Sequence, residues 1–195
     1  MSQAEDLDAF AALLRKWNAV QNLVSRETIG ELWPRHIEDS LQLLPLLRAC
    51  DHDVIDLGSG GGFPAIPLAI ASRGLERRFT LVEPIAKKAA FLRAAARELR
   101  LPIRVLALRA EQIDSRETFD LVTSRALAAL PELLRLGARF LRPQGHILLH
   151  KGQTFREEVS RAAAQFDFDV LVHRSETDSS GVILEISHLR AKSVA

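Results

Sequence analysis

Between positions 53 and 64 the chain reads Asp53-Val54-Ile55-Asp56-Leu57-Gly58-Ser59-Gly60-Gly61-Gly62-Phe63-Pro64, and this segment carries most of the chemistry legible in the sequence. An apolar run, Val54–Leu57, reads as a buried strand entering a glycine turn, and Pro64 fits the first turn of a helix beyond it. Glycines let the backbone turn sharply and come close to a ligand. The helix N-terminus that follows offers free N–H groups to a carboxylate or phosphate. Glu83 lies 21 residues after Gly62, at the end of the next expected strand. There an acidic side chain can accept hydrogen bonds from both hydroxyls of a ribose; the alternative is a solvated carboxylate at a strand end. On the ribose reading, Glu83→Ala is expected to weaken binding of a ribose-bearing cofactor by about 1–3 kcal/mol and to leave folding little changed.

The elements that must position these groups alternate. Candidate strands are Val54–Leu57, Phe79–Glu83, Ile103–Ala107, Phe119–Ser124 and His146–His150, with Phe168–His173 and Val182–His188 near the end. Helical stretches separate the early strands. In Ile85–Leu99, for example, Ile85, Ala89, Leu92, Ala96 and Leu99 share a face. Strand, helix, strand repeated four times predicts a mostly parallel sheet covered on both sides. The last two strands are joined by the loop Ser175–Gly181 and should form an antiparallel hairpin. The first fifty residues read as helical. Leu7, Phe10, Leu14 and Trp17 make one apolar stripe, Thr28 and Glu31 have capping-box spacing, and Pro34 fits the start of a helix near Trp33. The spacing leaves open whether Thr28–Arg48 is one helix or two short pieces.

Composition sets limits on class. A chain of 195 residues, 47% hydrophobic and 26% charged, suits one soluble domain, or one with a small appendage. Cys50 is the single cysteine, so neither an internal disulfide nor a cysteine metal cluster can form. The acidic start and the short apolar run Ile66–Ala71, interrupted by Pro67, predict neither a signal peptide nor a membrane span, and a cytoplasmic setting is expected. A net charge of +1 argues against a strongly basic nucleic-acid binder, although 21 of the 26 cations are arginine. Clusters such as Arg97/Arg100/Arg104 are by default solvated surface.

The glycines at 58, 60 and 62 form D-x-G-x-G-x-G with Asp56, a pattern that resembles motif I of S-adenosylmethionine methyltransferases more than a dinucleotide fingerprint. A wider likeness follows. The stretches Lys16-Trp17-Asn18, Asn22-Leu23, His36-Ile37-Glu38-Asp39-Ser40, Asp56–Pro67, Lys87-Lys88, Phe91-Leu92-Arg93, Arg109-Ala110-Glu111, Ser124-Arg125-Ala126 and Lys151-Gly152 occur in unbroken order. Together they resemble the small-subunit ribosomal RNA guanine-N7 methyltransferases of the RsmG type, also called glucose-inhibited division protein B. The last forty residues match only in pattern, and sixteen residues precede Trp17 where the family carries a longer helical arm.

The resemblance implies a Rossmann-like S-adenosylmethionine methyltransferase fold. Its mostly parallel seven-stranded sheet would end in an antiparallel hairpin, with an N-terminal helical segment at 1–50 and a methyltransferase domain at 51–195, a single folding unit overall. It implies S-adenosyl-L-methionine as cofactor, anchored by Asp56 at its amino-acid end, by Gly58, Gly60 and Phe63 along the loop, and by Glu83 at the ribose. Ala110 and Glu111 would flank the adenine. Arg125, at the end of the fourth strand, would border both cofactor and target, with His36, Arg109 and Lys151 also positioning the substrate. The implied partner is 16S ribosomal RNA in the small subunit or an assembly intermediate, and the protein is expected to be a monomer. Plainer readings stand beside these. Arg109 and Arg125 could pair with Glu111 and Asp120, Lys151 could be an ordinary surface residue, and His36, Asp39 and Ser40 read by spacing as a local hydrogen-bonded cluster rather than a catalytic triad.

Methyl transfer from a sulfonium is a displacement that asks chiefly for alignment. Guanine N7 attacks with a lone pair and loses no proton, so no general base is required and loss of His36 should remove no proton-transfer step. Phe63 could tolerate the cationic product ring. Cytosine C5 chemistry would need a cysteine near the fourth strand, whereas Cys50 precedes the first. Amino-methyltransferases often carry Asn/Asp-Pro-Pro-aromatic where this chain has Ser124-Arg125-Ala126-Leu127. The six histidines show no metal-ligand spacing. Competing readings are a methyltransferase for a protein or small molecule, a non-catalytic RNA- or nucleotide-binding module, and an NAD-linked dehydrogenase. Nucleoside analysis of treated RNA, and binding of S-adenosylmethionine against NAD, separate them.

Overall fold

The computed structural model describes residues 2–25, 27–125 and 127–192; Ala126 of the Ser124-Arg125-Ala126 stretch lies outside them. Seven strands form one sheet: β1 (Asp53–Leu57), β2 (Arg78–Val82), β3 (Ile103–Leu106), β4 (Phe119–Arg125), β5 (Leu141–Lys151), β6 (Phe166–Arg174) and β7 (Val182–Ala191). Their order is β3-β2-β1-β4-β5-β7-β6. The first five strands pair in parallel, and β7 pairs antiparallel with both β5 and β6. The closing hairpin is thus as expected, and its second strand inserts between β5 and the first.

Alternation along each strand feeds two cores. Val54, Leu121 and Leu148 face one side of the sheet, while Ile55, Val122, Ile147 and Leu149 face the other. Strands buried on both faces read as continuous apolar runs, which is why they were visible in the sequence. The first side is covered by α1 (Gln3–Asn18), by the segment containing α2 (Asp39–Leu41), by α3 (Ala65–Ala71) and by α4 (Ala86–Glu98); α5 (Leu130–Gly137) and α6 (Phe155–Ala163) lie on the second.

The apolar stripe on α1 is real: Leu7, Phe10 and Leu14 are buried, Phe10 meets Phe63 at 5.4 Å between ring centroids, and Trp17 packs edge-on to Phe91 at 5.7 Å. Asn18 closes this helix, its Oδ1 accepting from the N–H groups of Leu23 and Val24. The helix therefore rests on the residue that ends the glycine turn.

Four local expectations need correction, and one open alternative is settled. Thr28 caps no helix with its side chain, and its hydroxyl instead reaches His36. The region 28–48 breaks into short pieces, including a π-helical stretch at Trp33–Glu38 with Pro34 in its first turn. Ile85 is 51% exposed, because it stands in extended backbone just before α4 rather than on its buried face. The third crossover holds no α-helix: only a 3₁₀ turn, Ala110–Gln112, lies between β3 and β4. That connection buries only Ala110 and Ile113, too little apolar surface to seat a helix on the sheet. Pro64 precedes α3 as its N-cap, one position earlier than expected.

Candidate cofactor and substrate site

Ligands in open α/β sheets sit beyond the C-terminal ends of the strands, and that edge gathers most of the residues singled out above. The glycine turn leaves β1 and is tied to β2, with Gly58 and Ser59 donating their N–H groups to the Val82 carbonyl at 2.9 and 3.0 Å. Gly58 has φ +71° and Gly60 φ +52°, left-handed backbone that side chains rarely tolerate. A Cβ on Gly58 would also lie 2.6 Å from Leu127 Cδ1. The Phe63–Pro64 peptide is cis.

Glu83 follows β2 and is 4% exposed. Its Oε2 accepts from Gly60 N–H and its Oε1 from Ile85 N–H, both at 2.9 Å. Glu83 therefore braces the glycine turn against the start of α4. Removal of Glu83, expected from the sequence to leave folding little changed, would deprive two N–H groups of their acceptor.

Asp56 is 1% exposed. Its Oδ1 accepts from the Thr123 hydroxyl at 2.8 Å, and its Oδ2 is buried with no partner among the described residues. Burial raises this carboxyl to about 7. The Ser59 and Thr123 hydroxyls and Arg125 pull the other way, and Glu83 adds to the rise. A dry carboxyl with one uncommitted oxygen is a receptor for a cation or an N–H donor.

Beside Gly58 a cavity of about 190 Å³ opens between the ends of β1, β2 and β4, lined by Gly58, Val82, Ala110, Glu111, Leu127 and Leu136. The 3₁₀ turn after β3 thus delivers Ala110 and Glu111 to the same hollow as the glycine turn. Arg109 is on its rim and exposed; among the described residues it makes no ion pair, so the alternative of pairing with Glu111 is not realised.

The second half of the site centres on Arg125. Its guanidinium, 19% exposed, donates to His36 Nδ1 at 2.8 Å, to Asp39 Oδ2 at 3.2 Å and to the Arg35 carbonyl at 3.2 Å. It lies 5.0 Å from the centre of the Phe63 ring, on which His36 also stacks at 5.0 Å. Arg125 does not pair with Asp120, which holds Arg142 and the N–H groups of His52 and Asp53 instead. A guanidinium can only donate, so His36 Nδ1 must present its lone pair and Nε2 carries the proton toward Thr28 Oγ1, 2.9 Å away. Burial, followed by the Arg125 charge, lowers His36 to about 4. Ser40 bonds the His36 carbonyl at 2.6 Å and not its ring. The trio is a local cluster and no relay.

Asp39 binds further partners: Oδ1 accepts from Gln42 and Thr177, and its carbonyl accepts from His150 Nε2. The hairpin loop is thereby fastened to the start of α2. Lys151 ends β5 and is neither exposed nor unpaired; its Nζ donates to Glu158 at 2.8 Å and to the Ala128 carbonyl at 2.9 Å, with the side chain 9% exposed. Phe63, 3% exposed, backs the Arg125–His36 pair from within the core. Sequence reasoning gave Thr123 and Thr177 no role, named Leu127 and His150 only as members of longer stretches, and took Asp39 only as part of a local cluster with His36 and Ser40. Each acts across elements distant in sequence. The roomier hollows at the opposite strand ends, of about 730 and 570 Å³, are walled by Asp53, Arg78, Arg142 and their neighbours and contain none of these residues.

The architecture defines the class. An O-methyltransferase from Bacillus cereus, solved in complex with SAH, superimposes with TM-score 0.63 at 19% identity over 92% of this chain and 90% of that one, and the fold is that of the Rossmann-like methyltransferases. Sequence narrows this to one family. The profile described as rRNA small subunit methyltransferase G matches residues 3–184, and the chain belongs to that family. The ribosomal RNA small subunit methyltransferase G of Bartonella tribocorum is 46% identical over 96% of this chain and 88% of its own length. That of Paracoccus denitrificans is 43% identical over 96% of each.

Proposed function

We propose that this protein transfers a methyl group from S-adenosyl-L-methionine to N7 of a guanosine in 16S ribosomal RNA. The observation that carries the reading is the buried, uncommitted oxygen of Asp56 beside a left-handed glycine turn, within a chain of this family. The residues fit the cofactor. Asp56 Oδ2 suits its ammonium, the Gly58 cavity with Ala110 and Glu111 suits its adenine, and Glu83 suits its ribose. A carboxylate offers about four acceptor positions, so Glu83 can brace the turn through two and still receive hydroxyls. When bound, the cofactor supplies an electrophilic methyl on a sulfonium. The chain's own residues hold and align. Arg125 and His36, seated on Phe63, form the wall between the cofactor edge and the segment 27–39. Arg109 on the rim and Lys151 at the end of β5 mark the limits of the substrate cleft.

No group here needs to take a proton from the nucleophile. His36 has its lone pair engaged by Arg125 and a depressed pKa, so it serves as a neutral spacer that orients the guanidinium. With a net charge of only +1, bulk attraction to phosphate is weak. Recognition then depends on a shaped particle, the small subunit or an assembly intermediate, more than on bare RNA. No helix among the described residues is long and apolar enough to cross a membrane. The reading includes a cytoplasmic monomer in which segment 1–50 and domain 51–195 fold as one unit, supported by the shared packing of Phe10, Phe63 and Phe91.

Borohydride followed by aniline cleaves RNA at 7-methylguanosine, and primer extension locates the break. Subunits from a deletion strain should lack one break, which returns after treatment with the protein and S-adenosylmethionine. An unchanged cleavage pattern in the deletion strain would sink the substrate assignment and leave the cofactor assignment standing. Transfer of label to protein or small molecules would replace it.

A further inference from the structure

We propose that Thr123 is a positioning residue for the amino-acid end of the cofactor: its hydroxyl pins one oxygen of Asp56 so that the other is presented to the ammonium group. The proposal rests on the cofactor reading above. β1 and β4 pair in parallel with Asp56 and Thr123 in direct register, so both side chains leave the sheet on the same face. Thr123 is fully buried and donates to Asp56 Oδ1 at 2.8 Å, while Oδ2 has no partner among the described residues. The carboxylate torsion of an aspartate is broad and nearly two-fold. The Thr123 hydroxyl, fixed to the neighbouring strand, removes that freedom and decides which oxygen faces outward, whereas Ser59 Oγ donates to the Asp56 backbone carbonyl at 3.1 Å. Valine has the same shape without the donor, and serine keeps the donor without the methyl group.

The hydroxyl also acts on protonation. Burial is the main influence holding the Asp56 carboxyl near 7, and the hydroxyls of Thr123 and Ser59 oppose it. The charged groups that act on it are Arg125 from the end of β4, which favours the carboxylate, and Glu83 from the end of β2, which disfavours it. Without the Thr123 donor the carboxyl titrates higher, and fewer molecules carry the negative oxygen at neutral pH. A purely space-filling role for Thr123 gives a different expectation, since Thr123→Val would then be silent.

The test uses the full chain with Thr123→Val and Thr123→Ser. In cofactor-free protein, the Asp56 carboxyl followed by carbon-13 NMR should titrate at higher pH in Thr123→Val than in wild type. Calorimetry with S-adenosylhomocysteine, which has the same amino-acid end, should show affinity reduced roughly tenfold or more at pH 7. The deficit should be widest at low pH and narrow as pH rises, and Thr123→Ser should restore both readouts. 5′-Methylthioadenosine, which lacks the amino-acid end, should bind wild type and Thr123→Val equally. Unchanged titration and affinity in Thr123→Val would overturn the proposal. So would an equal loss for 5′-methylthioadenosine, which would mark a distorted pocket. Wild-type protein binding neither compound would sink the cofactor reading itself, a failure distinct from a cofactor-binding wild type whose Thr123→Val variant is unaffected.

Discussion

The two halves of the site are built in different ways. The glycine-turn half, Asp56 to Glu83, comes from one strand–turn–helix–strand unit, and its tying bonds run between the turn and the end of β2. The Arg125 half draws Thr28, His36, Asp39, Phe63, Arg125, His150 and Thr177 from distant parts of the chain into one network around a mostly buried guanidinium. Such a local unit holds its shape with backbone bonds and one carboxylate drawn from within itself. In the second half His36, Asp39 and Phe63 all meet one guanidinium, so damage there should spread further.

The largest expected effect follows from this contrast. Arg125→Ala leaves Asp39 and His36 without their shared donor in a mostly buried setting, and loss of one partner of such a pair costs about 3 kcal/mol. Urea denaturation should show that loss, and methylation of small subunits should fall at least a hundredfold. Stability within about 0.5 kcal/mol of wild type would mean that the cluster is not held by its cation.

Each half also contains a titrating group, and the two pull stability in opposite directions. His36 is depressed from 6.5 to about 4. In that window the unfolded chain binds the extra proton, so this contribution is full above 6.5 and is lost as pH falls toward 4. Asp56 is raised from 3.8 to about 7; there the native state binds the extra proton, so its contribution is full below 3.8 and is lost as pH rises through 7. The shift is worth up to about 3 kcal/mol for His36 and up to about 4 kcal/mol for Asp56. Measured from pH 4 to 7, Asp56→Asn should make stability rise more steeply with pH than in wild type, and His36→Phe should make it rise less or fall. Parallel curves for the two variants would break the assignment of opposite signs.

A smaller effect is expected at Glu83, where both cofactor and turn depend on one side chain. Glu83→Ala should weaken S-adenosylmethionine binding by about 1–3 kcal/mol and lower stability by about 1–2 kcal/mol, read by calorimetry and by urea denaturation. Glu83→Gln, which keeps one acceptor, should recover part of the stability. A folded Glu83→Ala protein with wild-type affinity would remove Glu83 from the cofactor site.

Arg109→Ala should change least. The side chain is exposed and makes no ion pair among the described residues, so stability should stay within about 0.5 kcal/mol, while the KM for small subunits rises and cofactor affinity holds. A drop in cofactor affinity equal to that of Glu83→Ala would move Arg109 from the substrate side to the cofactor side.

The sequence by itself determined what depends on near neighbours. Strands buried on both faces showed as apolar runs, the stripe on α1 at helical spacing, and the turn as glycines whose positive φ other residues resist. Asp56 and Glu83 were legible because they flank that turn at fixed distances along the chain. Only the tertiary structure decided the rest. The insertion of β7 between β5 and β6 depends on which strand edges meet, and the missing third helix on how much surface a short polar connection can bury. The pairing of Arg125 with Asp39 and His36 rather than Asp120, the burial of Lys151 against Glu158, and the hold of Thr123 on Asp56 all cross between elements. Charges and hydroxyls choose partners by distance in space and by the loss of water around them, and neither is written in the spacing of residues along a chain.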